Sequence, residues 1–148
     1  GAFTNPFQLA PHDLMQHEFA QQRDALLKVI EKNTATDEGL VTQMQAIAKA
    51  KQGIANPLVS WGLLQNDGLD EWLKAVPLVW IRQLSHFLIR NLGDYRRGFP
   101  DLFIAHADGS AEFVEVKGPR DQLQPQQRAW FQTFAALSID ARVIKLKL

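Results

Sequence analysis

Three observations predict a mixed α/β fold with a helical block ahead of a small sheet. The first 93 residues carry helical periodicities separated by short breaks. Residues 102–117 hold two apolar, β-rich runs joined by Asp108-Gly109, a strong hairpin signal. Beyond them comes a proline-opened helix and then an alternating run, so the C-terminal order is strand, strand, helix, strand. A helix linking two strands of one sheet implies a mixed sheet.

Residues 3–11 are an irregular lead-in. From Asp13 to about Lys32, Leu14, Phe19, Leu26, Leu27 and Ile30 recur at helical spacing and predict one apolar stripe. Thr36 followed by Asp37 and Glu38 reads as a cap and acidic first turn. That helix should end near Gly53 and bury Leu40, Met44, Ile47 and Ala48. Asn56-Pro57 opens a loop with Trp61 as an anchor, and a short helix, Leu69–Ala75, follows the Asn66-Asp67-Gly68 turn. Pro77 suits the first turn of another helix running to Leu92 and stopping at Gly93, with Leu78, Ile81, Leu84, Ser85, Leu88 and Leu92 as its buried stripe. After the hairpin, Gly118-Pro119 ends the second strand. Pro125 starts a helix to about Leu137 on which Gln127, Trp130, Phe131 and Phe134 share a face. Alternation from Ala141 to Leu148 predicts a closing strand.

The 148 residues suffice for one domain with a real core. No apolar run approaches the roughly 18 residues of a membrane span, and no membrane partner is expected. Cysteine is absent, which excludes disulfides and thiolate metal sites and is mildly in favour of an intracellular setting. Net charge is zero, yet unevenly spread: residues 1–81 carry six Lys/Arg against nine Asp/Glu, and residues 82–148 carry ten against seven. The basic half is compatible with a polyanion.

That half also holds the chemistry. Asp101 follows Gly98-Phe99-Pro100, and the returning strand reads Phe113-Val114-Glu115-Val116-Lys117. On a strand Glu115 and Lys117 share a face, and the hairpin can bring Asp101 beside them. Two carboxylates and an amine form a site for a divalent cation next to a phosphate, because hard cations take carboxylate, carbonyl and water oxygens. Asp101 and Glu115 would be metal ligands, with the Val116 carbonyl as a neutral third. Lys117 would orient or deprotonate a water, or hold the phosphate. Each motif alone is weak, since Pro-Asp is often a turn and Glu-x-Lys a solvated alternation. Their apolar flanks, Leu102-Phe103-Ile104 and Phe113-Val114, suggest interior strands on which charges need a purpose.

Gly-Phe-Pro-Asp-Leu, Phe-Val-Glu-Val-Lys-Gly-Pro-Arg-Asp-Gln-Leu and Gln127-Arg128-Ala129-Trp130 together resemble the VRR-NUC branch of the PD-(D/E)xK nucleases, a restriction-endonuclease-like fold. More narrowly, they resemble the C-terminal nuclease domain of the Fanconi-associated nucleases. The strong likeness covers residues 95–148, with a weaker one upstream. It implies a helical insertion at 1–93, a nuclease core at 94–148, and a place in a larger protein with other domains. It also implies structure-selective cleavage of branched or flapped DNA with Mg²⁺ or Mn²⁺, as a 5′-flap endonuclease and 5′–3′ exonuclease in interstrand-crosslink and fork repair. Asp101, Glu115, Lys117 and Gln127 would be the catalytic set, with Gln127 bracing the site. The inserted helices imply a monomer, whereas stand-alone relatives dimerise and cut four-way junctions. The family's further glutamate has no counterpart at Glu18 or Glu38, which implies a metal site short of one ligand and weak activity for these residues alone.

Arg97 and, less strongly, Arg120 are candidate phosphate contacts; Arg96 reads as solvated. His12, His17, His86 and His106 have no metal spacing. Trp61, Trp72, Trp80 and Trp130 read as core or anchor residues. The competing expectations are a dimeric junction resolvase and a non-catalytic DNA- or protein-binding module on the same fold. Against the latter, Asp101, Glu115 and Lys117 are all present.

Overall fold

The computed structural model describes residues 8–64 and 68–147. Residues 3–7 of the expected 3–11 lead-in, Asn66 and Asp67 of the Asn66-Asp67-Gly68 turn, and Leu148 at the end of the closing strand lie outside the described residues. In chain order the elements are α1 (Glu18–Gln21), α2 (Asp24–Asn33), α3 (Asp37–Lys51), a 3₁₀ turn (Trp61–Leu64), α4 (Gly68–Ala75) and α5 (Leu78–Tyr95), then β1 (Leu102–Ala105), β2 (Ala111–Lys117), α6 (Pro125–Ala136) and β3 (Ala141–Lys145).

The expected Asp13–Lys32 helix is interrupted at Arg23, whose backbone leaves the helical region. The Arg23 guanidinium turns back to the Phe19 carbonyl at 2.9 Å and to the buried Asp13 carboxylate at 2.8 Å. That long-range pairing replaces helical continuity. Phe19 and Leu27 are buried as expected, but Leu26 and Ile30 are exposed, and so is Ile47 on α3. Thr36 does cap α3, its hydroxyl accepting from Gly39 N–H at 3.1 Å. Helix α5 runs past Gly93 to Tyr95, with a kink at Asn91, and Pro77 is its N-cap. Gly93 is not a stop. A Cβ there would sit 2.5 Å from the Met15 carbonyl, so glycine permits the turn just before α1 to cross the helix closely. Ser85, expected in the buried stripe, is exposed.

The sheet has the order β1-β2-β3. β1 and β2 are antiparallel with Leu102 opposite Val114, and β2 and β3 are parallel with Lys117 opposite Lys145. Only β2 is therefore central among the described strands. β1 is an edge, and Leu102 is exposed rather than interior. The Asp108-Gly109 turn forms as read: Gly109 takes φ +85°, and Asp108 Oδ1 accepts from Ser110 N–H at 2.9 Å. β3 ends at Lys145, and Leu146 beyond it is exposed.

α6 crosses back from β2 to β3 and covers the face of β2 that carries Phe113 and Glu115. Trp130 and Phe134 are each 1% exposed, and Phe134 stacks on Phe113 at 5.2 Å and on Trp130 at 5.4 Å. Trp80 and Leu84 of α5 complete this cluster. A second cluster joins Leu40, Leu73, Val76 and Ile81, and Phe103 of β1 packs against both. Trp61 is an anchor, its ring N–H donating to Ile54 O at 2.7 Å. Trp72 is not; it is 40% exposed.

Candidate active site

The site forms where the hairpin strands meet the start of α6. Continuing the β1–β2 ladder one residue past Leu102↔Val114 sets Asp101 opposite Glu115. Asp101 Oδ2 accepts the Val116 N–H at 2.9 Å. In an extended strand a residue's N–H and C=O point to the same side. The Val116 carbonyl thus faces the Asp101 side, while Lys117 O turns to β3 and accepts Leu146 N–H at 2.8 Å.

Glu115 is buried, at 1% exposure. Its Oε1 takes the Lys117 ammonium at 2.9 Å and a hydrogen bond from Gln127 Nε2. Burying an ion costs several kcal/mol, and hydrogen bonds to charged groups return about 1.5–3 kcal/mol each. Both of Glu115's bonds go to one oxygen. Oε2 is buried with no hydrogen-bond partner among the described residues, an expensive arrangement unless something else binds it.

Gln127 is fixed at both ends. Its Oε1 accepts the Gln124 N–H at 2.9 Å in a reciprocal capping box, which leaves the amide N–H₂ for Glu115. The segment before Asp101 is fixed against the same helix. Trp130 Nε1 donates to Arg97 O at 3.0 Å, and Phe99 lies edge-on to Trp130 at 4.8 Å and to Phe113 at 5.0 Å. Gly98 adopts φ +80°, and a Cβ on it would come within 3.0 Å of Gln126 and the Gln127 nitrogen. Glycine is the residue that fits this crossing. Sequence reasoning missed this role, although a Gly-Phe-Pro run before the aspartate was visible. It also missed Asp121, which closes the exit turn by accepting Gly118 N–H at 3.0 Å.

Asp101, Glu115, Val116, Lys117 and Gln127 are thus brought together. Arg97 and Arg120 are exposed, and their guanidinium groups make no ion pair or hydrogen bond among the described residues. No group of three or more His, Cys, Asp or Glu side chains suited to a metal ion occurs among the described residues. What the site offers a cation is two carboxylates and a carbonyl, and the unpartnered Glu115 Oε2 fits that role. A groove of about 630 Å³, lined by Trp72, Phe99, Leu102 and Phe103 among others, opens beside Asp101. No helix is long and apolar enough to cross a membrane among the described residues.

A mixed sheet with strand-strand-helix-strand order, an acid just before its edge strand β1 and an acid and a lysine at the end of its central strand β2, is the PD-(D/E)xK restriction-endonuclease-like arrangement. The sequence profile of the VRR-NUC domain matches residues 35–147, and the chain belongs to that family. A Fanconi-associated nuclease 1 homolog from Pseudomonas aeruginosa is 34% identical over 133 residues, 89% of this chain and 24% of that protein. The homolog from Oryza sativa subsp. japonica is 34% identical over 156 residues, 97% of this chain and 15% of that protein. The crystal structure of paFAN1 bound to 5′-flap DNA with a gap and a 2-nucleotide flap matches with a TM-score of 0.86 at 30% identity, covering 99% of this chain and 27% of that one. The chain spans about a quarter or less of the length of these relatives.

Proposed function

We propose that this chain carries the catalytic centre of a divalent-metal-dependent DNA phosphodiesterase that selects branched or flapped DNA. It would cut near 5′ flaps, degrade 5′ to 3′, and serve interstrand-crosslink and fork repair. The observation that carries the reading is the buried Glu115 carboxylate with one oxygen unpartnered, set opposite Asp101 and ion-paired to Lys117. The names of the relatives and the flap DNA bound by paFAN1 support the substrate class.

Asp101, Glu115 and the Val116 carbonyl would hold Mg²⁺ or Mn²⁺. Such a cation, when bound, neutralises phosphoryl charge and acidifies a coordinated water. The chain's own groups do the remainder. An ammonium has three N–H donors; Lys117 uses one on Glu115 and has two for a phosphoryl oxygen and the attacking water. Gln127 keeps Glu115 oriented through a bond that its own capping box pre-aligns. Arg97, tied at its carbonyl to Trp130, and Arg120, in the exit turn, flank the site as phosphate contacts. The protein acts as a monomer, with the helices ahead of the sheet packed on the nuclease core through α5 and other domains of a longer chain gripping the DNA arms.

The test is cleavage of 5′-flap DNA with Mg²⁺ or Mn²⁺ by the full-length protein, wild type beside Asp101→Ala. Loss of cutting in the variant supports the reading, and equal cutting overturns it. The family's additional acidic ligand is not matched within residues 1–148, so this segment alone should cut weakly. Vigorous Mn²⁺-dependent cleavage by residues 1–148 would remove that part of the proposal.

A further inference from the structure

The basic groups of β3 are divided between the two faces of the sheet. Val114 lies opposite Arg142 in the parallel ladder, and Lys117 opposite Lys145. Residues opposite one another in a ladder send their side chains to the same face, and neighbours along a strand alternate. Arg142 therefore emerges on the face away from Glu115, where its Nε is 2.7 Å from Glu112 Oε2. Lys145 emerges on the same face as Glu115 and Lys117.

Two further facts bear on Lys145. It is exposed, and no carboxylate lies within 4 Å of its ammonium among the described residues. Val143, opposite Glu115 in the ladder, is also exposed, so α6 leaves this side of β3 open. The order across the face is then Asp101 on the β1 flank, Glu115 and Lys117 in the centre, and Lys145 on the β3 flank. Acid lies on one side of the centre and unneutralised positive charge on the other. Adjacent strands are about 4.8 Å apart, so Lys145 stands one strand further from Asp101 than Lys117 does.

We propose that Lys145 is a phosphate-binding residue: it seats the phosphodiester next to the one being cut, and the bound strand crosses the sheet from the β1 flank to the β3 flank. The proposal rests on the nuclease reading and extends it by giving the DNA strand a direction over the site. Lys145 would be a positioning residue that makes no contact with the reacting phosphate.

The experiment measures binding of 5′-flap DNA by fluorescence anisotropy over a salt series. It uses full-length protein made cleavage-deficient by Asp101→Asn, with and without Lys145→Gln. Losing one phosphate contact should lower the slope of log affinity against log salt by about 0.7–0.9. Affinity at low salt should fall several-fold, and Lys145→Arg should restore both. In the otherwise wild-type protein, Lys145→Gln should raise the enzyme concentration giving half-maximal single-turnover cleavage and leave the saturated rate within about twofold. Lys51→Gln, on α3, should alter none of these. An unchanged slope in Lys145→Gln, or an equal change in Lys51→Gln, overturns the proposal while wild-type cutting upholds the nuclease reading. Loss of the saturated rate with unaltered binding also overturns it, since Lys145 would then act on the chemistry. Wild-type protein that neither binds nor cuts the flap overturns both.

Discussion

The Asp101 carboxylate accepts the Val116 N–H at 2.9 Å, and this one bond ties the turn before β1 to the end of β2. It uses Oδ2 and needs no charge. An asparagine retains an oxygen that can take the same N–H but is a much weaker cation ligand. Asp101→Asn should therefore melt close to wild type while flap cleavage drops at least about 100-fold, the equivalent of roughly 3 kcal/mol of lost transition-state stabilisation. Thermal denaturation and single-turnover cleavage on the same preparation test this. A large fall in melting temperature would show that the charge itself holds the turn.

Gln127 separates bracing from ligation. Replacing it with alanine removes its bond to the buried Glu115 and half of the α6 capping box. The expected cost is about 1.5–3 kcal/mol of stability, with Mn²⁺ affinity lowered about 10–100-fold, as for other residues that orient a metal ligand. Urea unfolding and Mn²⁺ titration calorimetry provide the two readouts. Unaltered Mn²⁺ affinity would remove Gln127 from the site.

What could be read in the sequence was local. The Asp108-Gly109 turn, the Thr36 cap and Pro125 at the start of α6 are set by neighbouring residues, and each appears as expected. The shared face of Glu115 and Lys117 follows from the two-residue period of a strand, and their 2.9 Å ion pair agrees with it. Long-range contacts account for the misses. Arg23 breaks a helix because of Asp13, and Gly93 is required by Met15 O. A helical apolar stripe shows which residues share a face but not what covers it, so Leu26, Ile30 and Ile47 are exposed despite regular spacing. The depth of Glu115 was also hidden, because it depends on α6 folding back over β2.

Gly98 is the position where backbone geometry and the site meet. Its φ of +80° disfavours any side chain, and a Cβ would crowd the first turn of α6. A left-handed conformation costs a non-glycine residue about 1–2 kcal/mol, and the contact with helix backbone adds to that. Gly98→Ala should lose about 2 kcal/mol or more, or roughly 4–8 °C in melting temperature. It should also reduce cleavage more than Asn91→Ala does, because Asp101 lies three residues on. Equal effects of the two on activity would mean that the 97–100 segment does not set the Asp101 position.

Glu112 tests the sheet independently of the site. It bridges Arg142 on β3, at 2.7 Å, and His106 at the hairpin, at 3.0 Å. The Arg142 hydrogen bond, aided by His106 and opposed by partial burial, holds its carboxyl below the ordinary value of 4.5. A carboxyl with a lowered folded-state pKa binds protons more readily in the unfolded chain. Its contribution to stability is therefore complete above 4.5 and is lost as the pH falls through the folded value. Glu112→Gln should be less stable than wild type near neutral pH, and the difference should shrink in acid once both carry an uncharged side chain at 112. Urea melts of the two proteins across that range decide the matter. A gap that stays constant with pH would show that Glu112 contributes through shape and not through its charge.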